Sequence, residues 1–252
     1  MRCLRMFAVG CVLSATMISA QEIPPGTALP VMLNSSLNAK KSKPGEKISG
    51  RLMQDVLLPD GARIRAGAQV TGKILQVDRP TSTSGSRLVL KFDGLSSQGH
   101  SMPLTTDVRA IASTTDVFEA QLPTNNFDEY GTSIADWTTV QVGGDVVYRG
   151  SGQVFAGNDN QLVGKATVGG DVTAALMAVP DRGCRGPIDG SNLEQSLWLF
   201  STSACGPYGF SDLKISHAGR SSPPGEIVLE SASNVLVRSG SGILLRVQQP
   251  PQ

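Results

Sequence analysis

Two histidines, His100 and His217, are the only side chains here whose unperturbed pKa lies near neutrality. General acid–base chemistry built on imidazole therefore has little to draw on. The pattern Gly-x-Ser-x-Gly is absent: Ser151 in "YRGSGQ" and Ser241 in "SGSGI" are flanked directly by glycines, which excludes the strand-to-helix nucleophile elbow. No Cys-x₂₋₄-Cys or His-x₃₋₅-His pair occurs, so a zinc site lacks its usual spacing. There is no phosphate-binding loop and no Gly-x-Gly-x-x-Gly following a strand. No metal or cofactor is expected. Charged residues make up only 17% of the chain and aromatics 5%, with two tryptophans and three tyrosines. A balanced charge gives no field to steer the chain to nucleic acid. Lys40, Lys41 and Lys43 form a small basic patch, and a single short cluster reads as a solvated loop.

Long apolar runs are also missing. The only one, Met6 to Ile18, follows Arg2 and Arg5 and exits at Ala20, the layout of a secretory signal peptide over residues 1–20. It is too short to span a bilayer, which takes ~20 apolar residues. Cleavage after Ala20 would remove Arg2 and Arg5 from the 22 Lys+Arg and nothing from the 21 Asp+Glu, leaving a formal charge of −1. It would also remove Cys3 and Cys11, so Cys184 and Cys205 are left alone in a compartment where disulfides persist. The expected localisation is periplasmic or extracellular, with a Cys184–Cys205 bridge worth ~3 kcal/mol by loop entropy.

Plentiful are 28 glycines and 15 prolines beside 40% hydrophobic residues. That balance points to a mainly β protein of short strands and many turns. An apolar residue, two spacers, a glycine and then an alternating run recur at Ile23, Ile64 and Val237. None precedes a helix that would hold an anion, so the pattern reads as a glycine turn that launches strands. Leu88, Leu90 and Phe92 form one face of "RLVLKFDGL", and Val70, Gly72 and Ile74 one face of "AQVTGKIL". Pro59 to Gly61 marks a hairpin turn. Pro30 within "TALPVML" removes a ladder hydrogen bond, which predicts an edge or bulged strand.

These signals divide the chain into residues 21–113 as a β-barrel core, 114–224 as an inserted β/α segment carrying the disulfide, and 225–252 as C-terminal strands that rejoin the core. The core is a small barrel or sandwich. Within the insertion, Val-Gly-Gly-Asp-Val occurs at Val142 to Val146 and again at Val168 to Val172, which suggests two related strand-turn units; the alternative of calcium or carbohydrate ligation lacks a dense oxygen-ligand loop. "GNDN" at Gly157 to Asn160 reads as a hairpin tip. Ser191 and Glu194 form a capping box, with Leu193, Leu197 and Phe200 at helical spacing, which predicts a short helix ending at Gly206-Pro207.

Two sets of residues have the chemistry for a site. Trp137, Tyr148 and Tyr208 suit contact with a ligand, a glycan above all, although core packing is the default for so few rings. Cys205, Ser211, Asp212, Ser216, His217 and Arg220 lie close in sequence, and His217 is the residue a hydrolase would need. Neither set has the spacing of a known catalytic motif, so the expected function is non-catalytic, with no catalytic residues assigned.

"IPPGTALPVMLNSSL", "PGEKISGRLMQDVLLPDGARIRAGAQVTGKI", "RLVLKFDGLSSQGHSMPL" and the closing "SNVLVRSGSGILLRV" together resemble the C-terminal β-barrel domain of TrbI-type proteins, which scaffold the outer-membrane channel of bacterial conjugation and type IV secretion systems. The resemblance implies a barrel closed by its last strands and a place in the cell envelope. Its expected partners are an envelope protein or a second copy of the chain. The family's apolar helical hairpin has no counterpart; residues 114–224 stand there instead, so a pore does not follow.

Overall fold

The computed structural model describes residues 23–124, 137–167, 170–185, 193–216 and 224–249. The expected leader, residues 1–20, lies outside them. The fold is mainly β. One sheet runs in the order β16 (Gly206–Tyr208), β9 (Thr106–Ala112), β20 (Gly242–Val247), β1 (Ala28–Leu33), β3 (Lys47–Leu52), β6 (Gln69–Asp78), β7 (Ser86–Ser97), β18 (Ile227–Ser231) and β17 (Lys214–Ser216), and β8 (His100–Pro103) pairs with β7 off that path. All pairings are antiparallel except β16 on β9. The two ends of the path, β16 and β17, touch, so the sheet curls into a nearly closed barrel of nine strands. Two ribbons cap it: β4 (Val56–Leu57) with β5 (Arg63–Ile64), and β2 (Leu37–Asn38) with β19 (Leu236–Val237).

Strand alternation explains the barrel's interior. Leu29, Val31 and Leu33 of β1, Leu88, Leu90 and Phe92 of β7, and Val70 and Ile74 of β6 are all buried in one cluster with Ile243 and Leu245 of β20. The faces expected for β6 and β7 are those observed. Gly72 lies on the same inner face, where a Cβ would sit 2.0 Å from the Lys91 carbonyl. The long stretch 48–58 breaks into β3 and β4, and the turn at Pro59–Gly61 closes the β4–β5 hairpin, as its Pro-Asp-Gly signal requires.

The last strand pairs with the first. β20 lies against β1 with Ala28 opposite Arg246 and Val31 opposite Ile243. β1 is therefore a central strand, a correction to the edge position expected from Pro30. The ladder with β3 covers only Val31 to Leu33. On that side of the chain the Pro30 carbonyl accepts from the Met53 N–H and the Ala28 N–H donates to Gln195 Oε1. Proline thus stands beyond the end of the ladder, where no donor is required.

The insertion folds as a second sheet, a six-stranded antiparallel meander of β10 (Thr138–Val140), β11 (Val146–Tyr148), β12 (Gln153–Phe155), β13 (Leu162–Ala166), β14 (Val172–Ala174) and β15 (Gln195–Ser196). It is preceded by α1 (Thr114–Glu119), whose N-cap Ser113 accepts from the Asp116 N–H. The main sheet regains the chain at β16, well before residue 225, because β16 and β17 both pair with barrel strands. The second sheet, through Val147, Val154 and Val172, and the turn after it, through Leu199 and Phe200, pack on the barrel's outside against Ala28, Ala110, Ala112 and Leu244. Small residues on the barrel side bring the layers close: a Cβ on Gly242 would stand 3.3 Å from Phe200 and Val117.

The helix expected between the Ser191 cap and Gly206-Pro207 does not form over its described residues, and Gly206–Tyr208 is itself strand β16. Gln195–Ser196 is strand β15, Leu197 to Phe200 is a turn, and Trp198 has a φ of 53°. Leu193 is exposed while Leu197, Leu199 and Phe200 are all buried. Helical spacing would bury one face only, whereas the seam between the sheets takes nearly consecutive side chains. Ser191 lies outside the described residues.

Candidate functional site

The outer face of the second sheet is built by period-two alternation. Thr139, Val147 and Val154 point to the seam and are buried. Their neighbours point outward, and cross-strand register lines them up. Val140 stands opposite Val146, Val146 opposite Phe155, and Phe155 opposite Leu162. Four adjacent strands thus carry one apolar row that is exposed at its two ends, Val140 at 41% and Leu162 at 56%, with Val146 and Phe155 half-buried between them. Tyr148, also 41% exposed, meets Phe155 edge to face with ring centroids 5.3 Å apart.

Beneath the sheet the seam holds three fully buried charged residues, Asp107 and Arg109 on β9 and Arg246 on β20. A bulge makes room for them. Leu244 pairs with Ala110 and Leu245 with Val108, so Arg109 is the extra residue. Its guanidinium donates to the carbonyls of Ala204 (2.9 Å), Met177 (2.5 Å) and Thr202 (3.4 Å), all from the insertion. Burial pulls Arg109 down to about 10, helped by the positive charge of Arg246. Asp107 lies opposite Arg246 and accepts from the Val108 N–H at 2.7 Å. Burial pushes its carboxyl up to about 7, against the opposing pull of that hydrogen bond and of Arg246. Through those three carbonyls Arg109 ties β9 to the insertion.

A second polar device was invisible in the sequence. Gln54, between β3 and β4, donates to the Val172 carbonyl (2.9 Å) and accepts from the N–H groups of Val172 (3.1 Å) and Trp198 (2.7 Å). One buried amide thereby joins the barrel to two parts of the insertion. Glutamine in a loop gives no pattern by which this role is read.

The ligand-contact trio is not assembled. Tyr148 is on the outer face of the second sheet. Trp137 leads into β10, its carbonyl accepting from the Arg149 N–H and its indole nitrogen buried. Tyr208 is in β16 of the main sheet, where its hydroxyl accepts from the Cys205 N–H (3.0 Å) and from Arg182 (2.9 Å), whose guanidinium lies 4.8 Å from the ring centre. It thus braces the expected Cys184–Cys205 disulfide, which is present and fully buried with its Cα atoms 6.0 Å apart. His217 lies outside the described residues, as does Arg220. Ser216 is engaged with Glu230, while Ser211 and Asp212 line a cleft at one end of the barrel.

The described residues at the ends of the two Val-Gly-Gly-Asp-Val segments pair alike. In the first the Gln141 N–H donates to the Asp145 carbonyl and the Gly144 N–H to the Gln141 carbonyl. In the second, Thr167 pairs in the same way with Asp171, and Gly170 with Thr167. Asp145 turns inward to accept from the N–H and hydroxyl of Thr202, and burial raises its pKa. Residues 168 and 169 lie outside the described residues. Among the described residues no cluster of three His, Cys, Asp or Glu side chains is placed to hold a metal ion, and no helix is long and apolar enough to cross a membrane. No protein-family model matches the chain. No curated protein matches it significantly.

Proposed function

We propose that this chain is a non-catalytic interaction protein of the bacterial cell envelope, secreted or periplasmic, that docks an envelope protein or a second copy of itself. The observation that carries this reading is the row Val140–Val146–Phe155–Leu162, half-buried at its centre and exposed at Val140 and Leu162, with exposed Tyr148 at its side. A sheet that needed only to pack on the barrel would alternate apolar in and polar out. The disulfide fits an oxidising compartment. The resemblance to TrbI-type barrels supports the envelope setting and the scaffold role.

The test is assembly of the chain lacking residues 1–20. Light scattering and crosslinking in envelope preparations should show a self-complex or a defined partner, and Val140→Glu with Leu162→Glu should abolish it while leaving the thermal midpoint near that of the parent. A chain that stays monomeric at high concentration and captures no envelope protein would overturn the reading.

A further inference from the structure

The cleft that contains Ser211 and Asp212 is remote in construction from the apolar row. It has a volume of about 340 Å³ and is formed by the β16–β17 connection, the β18–β19 connection, the β19–β20 turn and the start of α1. Seven of its lining residues bear hydroxyls. Some of these are committed: Ser231 and Ser233 donate to Asp212 Oδ2 at 2.7 and 2.9 Å, and the Ser233 N–H adds a third bond at 3.1 Å. Those donors hold Asp212 below the usual carboxylate range, so it is an anion at neutral pH. Others are uncommitted. Ser241 is 1% exposed, lines the cleft, and its Oγ has no hydrogen-bond partner among the described residues. That Oγ is closed to solvent beneath the cleft floor, and the uncommitted hydroxyls open to a ligand are those of Thr114, Thr115 and Ser211. Arg238 on the turn makes no ion pair among the described residues, and half-buried Phe210 supplies an apolar wall.

We propose that this cleft binds one pyranose unit, taken either as a free sugar or as the end residue of a glycan. One carboxylate and one guanidinium cancel in charge, which disfavours a simple anion or cation. What remains is a wall of hydroxyls with a fixed acceptor, a donor fork and an aromatic ring, matching a ligand with many hydroxyls and an apolar C–H face. The cleft's volume lies within the range of small-molecule sites. This places sugar recognition away from Trp137, Tyr148 and Tyr208.

The experiment is titration of the chain lacking residues 1–20, by calorimetry and by amide NMR. Its probes are glucose, galactose, mannose, N-acetylglucosamine and the disaccharides of each, with glycine and inorganic phosphate as comparison ligands. Saturable binding of at least one sugar is expected, with shifts at Ser211 to Leu213 and at Ser231 to Asn234. Arg238→Gln and Phe210→Ala should each weaken it ~10-fold, the loss of about one charge-assisted or apolar contact. Arg238 is exposed and makes no ion pair among the described residues, so its substitution leaves folding intact. Stronger binding of a disaccharide identifies a glycan end as the source, and equal binding a free sugar. Leu162→Glu should bind as the parent does, which separates this site from the docking face. Absence of binding by every sugar, binding unaffected by both cleft variants, or preference for phosphate or glycine would overturn the proposal.

Discussion

Asp107 shows how one side chain makes this protein sensitive to pH. Its carboxyl has no route to water and rises from 3.8 to about 7 in the folded state. A raised carboxyl binds its proton more tightly in the fold than in the unfolded chain. The stability this contributes is therefore full below about pH 4 and is lost as pH climbs through about 7. For a single proton the slope is at most ~1.4 kcal/mol per pH unit. Urea denaturation at several pH values across that window should show stability falling as pH rises, and Asp107→Asn should flatten the curve. A stability curve that rises over the same window in the parent, or one unchanged by the substitution, would contradict this role. Nothing in the sequence marks Asp107 for it. An aspartate in a run with Arg109 reads as an exposed strand residue until the insertion is laid over it.

At the level of elements, the recurring glycine turn is the unit that repeats. Gly26, Gly67 and Gly240 have φ values of 86°, 85° and 89°, and in each case the next residue's N–H donates to the carbonyl three positions back. The glycine N–H itself donates across to a neighbouring strand, from Gly26 to Val247, Gly67 to Leu52 and Gly240 to Leu33. The pattern at Ile23, Ile64 and Val237 was legible because turn chemistry is local: positive φ selects glycine whatever surrounds it. Nothing lies within 4 Å of a Cβ placed on Gly67. Gly67→Ala should therefore cost ~1–2 kcal/mol from backbone strain alone, whereas Gly72→Ala, at ordinary φ but against the Lys91 carbonyl, should cost more. Equal midpoints for the two variants in chemical denaturation would sink that distinction. The helix expected between Ser191 and Gly206-Pro207 is absent from its described residues for the opposite reason. Its spacing was sound, but Gln54 and the seam claimed Trp198 and both buried leucines beside it, and packing outweighs propensities of a few tenths of a kcal/mol per residue.

Across the whole molecule the decisive contact is the one between layers. Alanines and a glycine on the barrel's outer surface bring the second sheet close, Arg109 reaches three carbonyls of the insertion, and Gln54 satisfies two N–H groups and a carbonyl. Gln54→Ala should cost ~2–4 kcal/mol because it strands buried backbone groups rather than merely removing a bond. The loss should appear as faster proteolysis and amide exchange in β14 and the Leu197 to Phe200 turn than in β6 and β7. Uniform loosening of both sheets would show instead that the two melt as one unit.

Composition, alternation and turn glycines determined the fold class, the barrel strands, the hairpin tips and the pairing of the two described cysteines, since each depends on neighbours in the chain or on the simple count of thiols. Tertiary structure alone decided that β20 lies between β9 and β1, that Pro30 stands in a central strand beyond the end of a ladder, and that Trp137, Tyr148 and Tyr208 occupy separate places. It also decided which face stays apolar in solvent and which hydroxyls gather at Asp212. Those outcomes depend on register between strands far apart in sequence, and alternation within one strand carries no record of its partner.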